Sequence, residues 1–258
     1  MAGSMGSRED GLKFLLLAVF AALLLSCRPS QSEAELSVAQ GSAMGTSWRL
    51  VVRGGDAPEW QSEIESLLLT QEKRFSNWSE VSEVSRIERG ESEMSSEMRD
   101  LLTLSEQIRE ASDGAFDIAW DGGLDLGGVA KGWAVDRVGE LLGEVGLSDF
   151  VFELGGEIIA RGDGPDGEGW QVGVESPDPT SADLARTLTL HNECLATSGN
   201  YHQPGHLKDG RTGQQVGGEF RSVTVVMPTC AEADAWATAL FVLGDEPSGF
   251  AGRAYRNR

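Results

Sequence analysis

The period of the apolar positions changes several times along the chain. Residues 12–26, "LKFLLLAVFAALLLS", form one apolar run broken only by Lys13, short for a bilayer span and placed where an export signal sits. "TSWRLVV" (46–52) alternates like a strand, and Pro58 to Arg74 carries Ile64, Leu67 and Leu68 on one helical face. A second helix is predicted over 98–114, "MRDLLTLSEQIREASDG", ended by Gly114. A third keeps Val135, Val138, Leu142 and Val145 at helical spacing. "FVFELGGEIIARG", "WQVGVES", "RTLTLHN" and "RSVTVVM" read as strands, and "AEADAWATALFVLG" as a buried helix. Strands and helices mixed without regular βαβ alternation predict an α+β fold.

The first apolar run closes at Cys27 in "LLSC", which resembles a bacterial lipobox, whose cysteine is lipidated and becomes the new N-terminus. An ordinary signal peptide or an uncleaved anchor is the alternative. The organisation expected is a lipoprotein signal peptide at 1–27, a polar tether at 28–40 and one domain at 41–258, long enough for a single core. This predicts an extracytoplasmic or periplasmic protein of the bacterial cell envelope, held at the membrane by a lipid anchor.

A formal net charge of −20 argues against nucleic acid as a partner of the bulk surface. An anionic ligand then needs a local site of backbone amides, a lysine or a metal. Beyond the signal segment the cysteines are Cys194 and Cys230, with no zinc-like spacing. A disulfide and two buried thiols are both open.

The chemistry concentrates in "LDLGGVAKGWAVD" (124–136). It fits neither a Walker loop nor a Rossmann fingerprint, because Lys131 follows alanine and the glycines are wrongly spaced. Glycines still let a backbone approach a ligand, a helix start offers free amides, and Lys131 can neutralise a phosphate. A plain structural turn explains the same residues equally well. Asp234 and Thr238, four apart, share a helical face and offer hard oxygen atoms of the kind Mg²⁺ accepts. Spacing alone favours a buried Asp bonded to a neighbouring Thr.

Nine segments in order carry a resemblance: "MGTSW" (44–48), "RFSNWSEVSEVSRIERG" (74–90), "GAFDI" (114–118), "DLGGVAKGWAVD" (125–136), "ELGGEIIARG" (153–162), "WQVGVESP" (170–177), "ATSGNY" (196–201), "HLKDGRTGQQV" (206–216) and "SVTVVMPTCAEADAWATALFVLG" (222–244). From about Met44 to Gly244 the chain resembles the FAD:protein FMN transferase (ApbE) family. The resemblance implies that family's α+β fold, with mixed or antiparallel sheets, packed helices and an FAD site between two lobes. It implies Mg²⁺-dependent transfer of FMN from FAD to a Ser or Thr hydroxyl of an acceptor redox protein, with release of AMP.

It also implies roles. The backbone of Gly128 with Asp234 and Thr238 would hold the metal. Met44, Trp78 and the segment Ala115, Phe116 and Asp117 match flavin-contacting positions, with Trp78 where tyrosine is usual. Asp125 would bind ribityl or ribose hydroxyls, and Lys131 would lie near the flavin nucleotide. Without the resemblance, Asp125 is a credible turn residue, Lys131 a solvated charge, and Met44, Trp78 and Phe116 ordinary core.

His206 heads the family's H-x-x-D-P-x-T-G pattern and is the candidate general base, since imidazole titrates near neutral pH. Asp209 would hold the loop or orient His206. The pattern here reads "HLKDGRTG": Gly210 replaces the usual proline, which predicts a looser loop, and Lys208 replaces an apolar residue near the flavin. The family normally continues through a further strand or two after "FVLG", so the short C-terminus predicts an incomplete sheet edge. An FAD pyrophosphatase giving FMN and AMP, and a non-catalytic flavin-binding lipoprotein, are the rival readings.

Overall fold

The computed structural model describes residues 35–257 apart from 179, 181–182, 202–204 and 218–220. The predicted signal peptide, Cys27 and tether residues 28–34 lie outside the described residues. Among the described residues no helix is long and apolar enough to cross a membrane.

The strands are β1 (Leu36–Ala43), β2 (Thr46–Arg53), β3 (Phe150–Leu154), β4 (Glu157–Arg161), β5 (Trp170–Glu175), β6 (Leu184–Leu190), β7 (Cys194–Gly199), β8 (Ser222–Met227) and β9 (Arg253–Asn257). The helices are α1 (Gln61–Phe75), α2 (Glu83–Glu88), α3 (Ser96–Ala111), α4 (Ala130–Glu144) and α5 (Cys230–Leu243). Seven strands form one antiparallel sheet in the order β1-β2-β3-β4-β7-β8-β9, and β5 pairs with β6 as a separate hairpin.

The sheet explains the two kinds of strand pattern. In β2, Trp48, Leu50 and Val52 are buried while their neighbours are more exposed, as expected with one face on the core. β4 and β8 are buried along nearly their whole length and read as continuous apolar runs. One of their faces meets the main core. The other meets a smaller cluster in which Ile158, Ala160, Leu195 and Val226 pack with Trp170, Val172, Val174 and Leu190 of the β5–β6 hairpin.

α5 is apolar on almost every face, as a helix enclosed by protein must be, and Asp234 is the charged group buried within it. Its start is capped by Thr229, whose hydroxyl accepts from the Glu232 amide, and it ends at Gly244 in the left-handed conformation. The stretch "FVFELGGEIIARG", read from the sequence without a break, is two strands: Gly155 and Gly156 form a tight turn that brings β4 back antiparallel to β3.

Several expectations need correction. β1 begins at Leu36, so residues 36–40 belong to the sheet and not to the tether; "LSVAQGSA" conceals a strand because only one of its residues is fully buried. Val145, expected on the third helix's buried face, lies just past α4 and is exposed. The sheet edge is present: β9 pairs with β8 from Ser222↔Asn257 to Val226↔Arg253. An edge strand can bury one side only, so "RAYRN" carries little apolar signal. Of the two states left open for the cysteines, the structure has the disulfide: Cys194 and Cys230 are bonded, with Cα atoms 4.9 Å apart, joining the start of β7 to the start of α5.

Candidate flavin and cation site

The site is built where α4 crosses α5. The Gly132 amide donates to Oδ2 of Asp234 at 3.1 Å, and a Cβ on Gly132 would stand 2.2 Å from the Cys230 carbonyl oxygen, so only glycine allows this approach. Farther along α5, Thr238 Oγ1 lies 3.1 Å from Ser198 Oγ of β7. The same Oγ1 is 3.1 Å from where a Cβ on Gly128 would be, so the bare backbone of the turn abuts the hydroxyl. The three predicted metal residues, Gly128, Asp234 and Thr238, are thereby gathered. A buried carboxylate, a hydroxyl and a peptide backbone with no side chain in the way suit a hard cation with water or phosphate completing its shell.

Lys131, on the first turn of α4, pairs with Glu157 at the start of β4. Glu157 is 2% exposed and Asp234 4%. Burial raises the pKa of both carboxyls above the ordinary range, and Lys131 opposes this in each case. Burial also works against the Lys131 ammonium, but Glu157 and Asp234 outweigh it and raise the lysine's pKa above its usual value. Lys131 is therefore a held cation and not a freely solvated one.

A second group surrounds Asp125. Its Oδ1 accepts from the Gly127 amide at 3.0 Å, and its Oδ2 from the Trp120 indole at 3.2 Å. Asn77 holds the turn from outside, accepting from the Leu126 amide at 3.1 Å and donating to the Leu124 carbonyl. Beside Asn77, Trp78 is 98% exposed, which excludes the core-packing reading for it. Ala115 and Phe116 are buried, with the Phe116 ring 3.3 Å from a Gly128 Cβ position. Asp117 is half-buried and accepts from the Ala119 amide at 2.8 Å. Met44 is half-buried in the β1–β2 turn with φ 51, a left-handed conformation uncommon outside glycine.

The loop 206–216 lies against these residues. Lys208 bridges to Gln215 and sets its Nζ 5.9 Å from the centre of the Trp120 ring. His206 is exposed at the head of the loop. Both oxygens of Asp209 are engaged by Arg211, through its amide, Nε and Nη2, and this guanidinium lowers the carboxyl's pKa. These bonds account for Asp209 as a loop-holding residue. The looseness expected from Gly210 is not found: its amide donates to the Ala115 carbonyl at 3.1 Å, and a Cβ there would lie 2.4 Å from the Gly114 oxygen. Glycine replaces proline's stiffness with a backbone bond that proline cannot make.

A profile of the ApbE family matches residues 44–122 and 120–251, most of the chain. The chain belongs to the ApbE family. The Escherichia coli K12 protein named FAD:protein FMN transferase is 26% identical, with 91% of this chain and 88% of that protein aligned. A Haemophilus influenzae protein of the same name is 25% identical over 91% and 89%. Among solved ApbE structures, the Pseudomonas stutzeri flavinyl transferase in its apo form superposes with a TM-score of 0.71 at 25% identity, covering 83% of this chain and 86% of that one. The Vibrio cholerae flavin transferase, at 24% identity, shares the fold with a TM-score of 0.73 over 87% and 97%.

The E. coli alignment runs over 309 positions, more than the 258 residues of this chain, so that ApbE relative has internal residues absent here. The two stretches matching the family profile meet at residues 120–122, at the turn carrying Trp120. Sequence reasoning singled out neither Trp120 nor Asn77 nor Glu157. Glu157 had a visible signal: a lone acid opening the otherwise apolar strand "EIIA" after a glycine pair.

Proposed function

We propose that this chain transfers FMN from FAD to a Ser or Thr hydroxyl of an acceptor redox protein and releases AMP, with Mg²⁺ held by the Gly128 backbone, Asp234 and Thr238. The observation that carries the reading is the convergence of these three groups beside Lys131, in a chain of the ApbE family whose curated relatives are named FAD:protein FMN transferase. When bound there, Mg²⁺ supplies charge neutralisation for the phosphoanhydride that breaks.

The protein's own groups divide the remaining work. Trp78, Asp125, Lys208 and the 115–117 segment bind and orient the flavin nucleotide, and Lys131 places positive charge near its phosphates. The acceptor hydroxyl oxygen attacks the FMN phosphorus, the bond to the AMP oxygen breaks, and His206 takes the hydroxyl proton. The long apolar run before Cys27 supports export and lipid anchoring in a bacterial envelope.

The test incubates the protein with FAD, Mg²⁺ and a candidate acceptor domain, with and without EDTA, and reads acceptor mass and AMP. An EDTA-sensitive gain of one FMN supports transfer. AMP with an unmodified acceptor favours the pyrophosphatase, and bound FAD without either product favours a flavin-binding protein.

A further inference from the structure

Glu157 stands outside the roles assigned above, yet it is among the most deeply buried charged groups of the domain. Its Oε1 accepts from the Lys131 ammonium, while Oε2 is enclosed and without a hydrogen-bond partner among the described residues. Lys131 also feels the carboxylate of Asp234, whose Oδ2 is tied to the amide of the very next residue, Gly132. One ammonium therefore faces two buried carboxylates, one of them in the proposed cation site. An ammonium and a divalent cation compete for the same oxygen charge.

We propose that Glu157 is a positioning residue that holds the Lys131 ammonium off Asp234, leaving that carboxylate available to a divalent cation. The geometry separates the two acids by function. Asp234 is anchored on α5 beside Thr238 and the Gly128 turn, whereas Glu157 sits on β4, on the lysine's side of the site. The Lys131 ammonium on Oε1 ties Glu157 to the lysine, and the double variant below separates this role from direct ligation through Oε2. Without Glu157, the half-buried ammonium keeps Asp234 and, with a smaller effect, Glu153 as acidic neighbours, and it turns toward the buried carboxylate of Asp234, because a poorly solvated charge left unpaired is costly.

The inference rests on the cation site proposed above, and its test separates the two. Mn²⁺ affinity would be measured by calorimetry on the wild type, Asp234→Ala, Glu157→Gln, Lys131→Met and the Glu157→Gln/Lys131→Met double variant, with thermal melting to establish folding. Glu157→Gln is expected to weaken Mn²⁺ binding roughly tenfold, the scale of one rearranged charge-assisted hydrogen bond. Removing the lysine in the same molecule should restore it to at least the wild-type level.

A merely structural role for Glu157 predicts no such rescue, and a direct ligand role predicts loss in the double variant too. Either result, or unchanged affinity in a folded Glu157→Gln protein, overturns the inference while leaving the Asp234 site standing. Wild-type binding that Asp234→Ala does not reduce, or no wild-type binding, overturns both.

Discussion

The amide of Gly132 and the carboxylate of Asp234, 102 residues apart in sequence, meet at 3.1 Å and join the turn of α4 to the buried helix α5. The Gly128 turn and Thr238 lie on the same two segments, and the contact exists because Gly132 has no side chain. Gly132→Ala should push α4 from α5 at a cost of about 1–3 kcal/mol, the range for overpacking. The measurement is thermal melting alongside divalent-cation affinity. Unchanged values for both would show that the two helices do not need this approach.

His206→Ala should slow FMN transfer by about 10²–10⁴-fold, the usual contribution of a general base, while FAD binding stays measurable. Single-turnover rates with saturating acceptor and equilibrium FAD titration separate the two effects. An undiminished rate would remove His206 as the proton acceptor.

Asp136 gives a pH dependence of defined sign. Its carboxyl, raised by burial to about 6 from an ordinary 3.8, is opposed in this by the Cys230 and Ala231 amides and by Arg161 and Arg137. A folded pKa above the unfolded one means that the native state holds the proton more tightly. The stability from this group is full below about 3.8 and is lost as pH rises to about 6. The stability difference between wild type and Asp136→Asn should therefore fall over that window by up to about 3 kcal/mol. Urea melts at a series of pH values test this, and a difference that rises with pH would refute it.

The Cys194–Cys230 bridge closes a 36-residue separation and fixes the first turn of α5 to β7. Reduction, or the Cys194→Ala/Cys230→Ala pair, should cost about 2–4 kcal/mol, the common range for a disulfide. Denaturation with and without dithiothreitol measures it. Identical curves, with thiol titration confirming reduction, would show the bridge to be energetically idle.

What was legible in the sequence was whatever carried its own period. α5 and the central strands β4 and β8 announce themselves by buried apolar runs, whereas β7, equally central, was not read as a strand because "CLATSG" mixes small polar residues into its buried run. β1 and β9 were not read either, because Leu36–Ala43 and Arg253–Asn257 lie at the sheet edges and bury little. Asp234 and Thr238 were readable as a helical pair, since four residues return to the same face. Their partners were not. The Lys131–Glu157 pair and the Trp120–Asp125–Lys208 group depend on how β4 and the 206–216 loop come to rest, and spacing carries no trace of that. The glycine at 210 misled for a related reason: its backbone bond to Ala115 is invisible until the two segments are side by side.

The last strand also bears on how copies of this protein treat one another. Among the described residues β9 is the outermost strand on its side of the sheet, the kind of rim along which sheets of separate molecules fuse into fibres. Arg253 and Arg256 stand on that strand in a chain of net charge −20, each paired with a local acid, Glu193 and Glu246. Charged side chains on an edge strand oppose such rim-to-rim pairing. The strand that closes the sheet thus also discourages its own continuation into a neighbour.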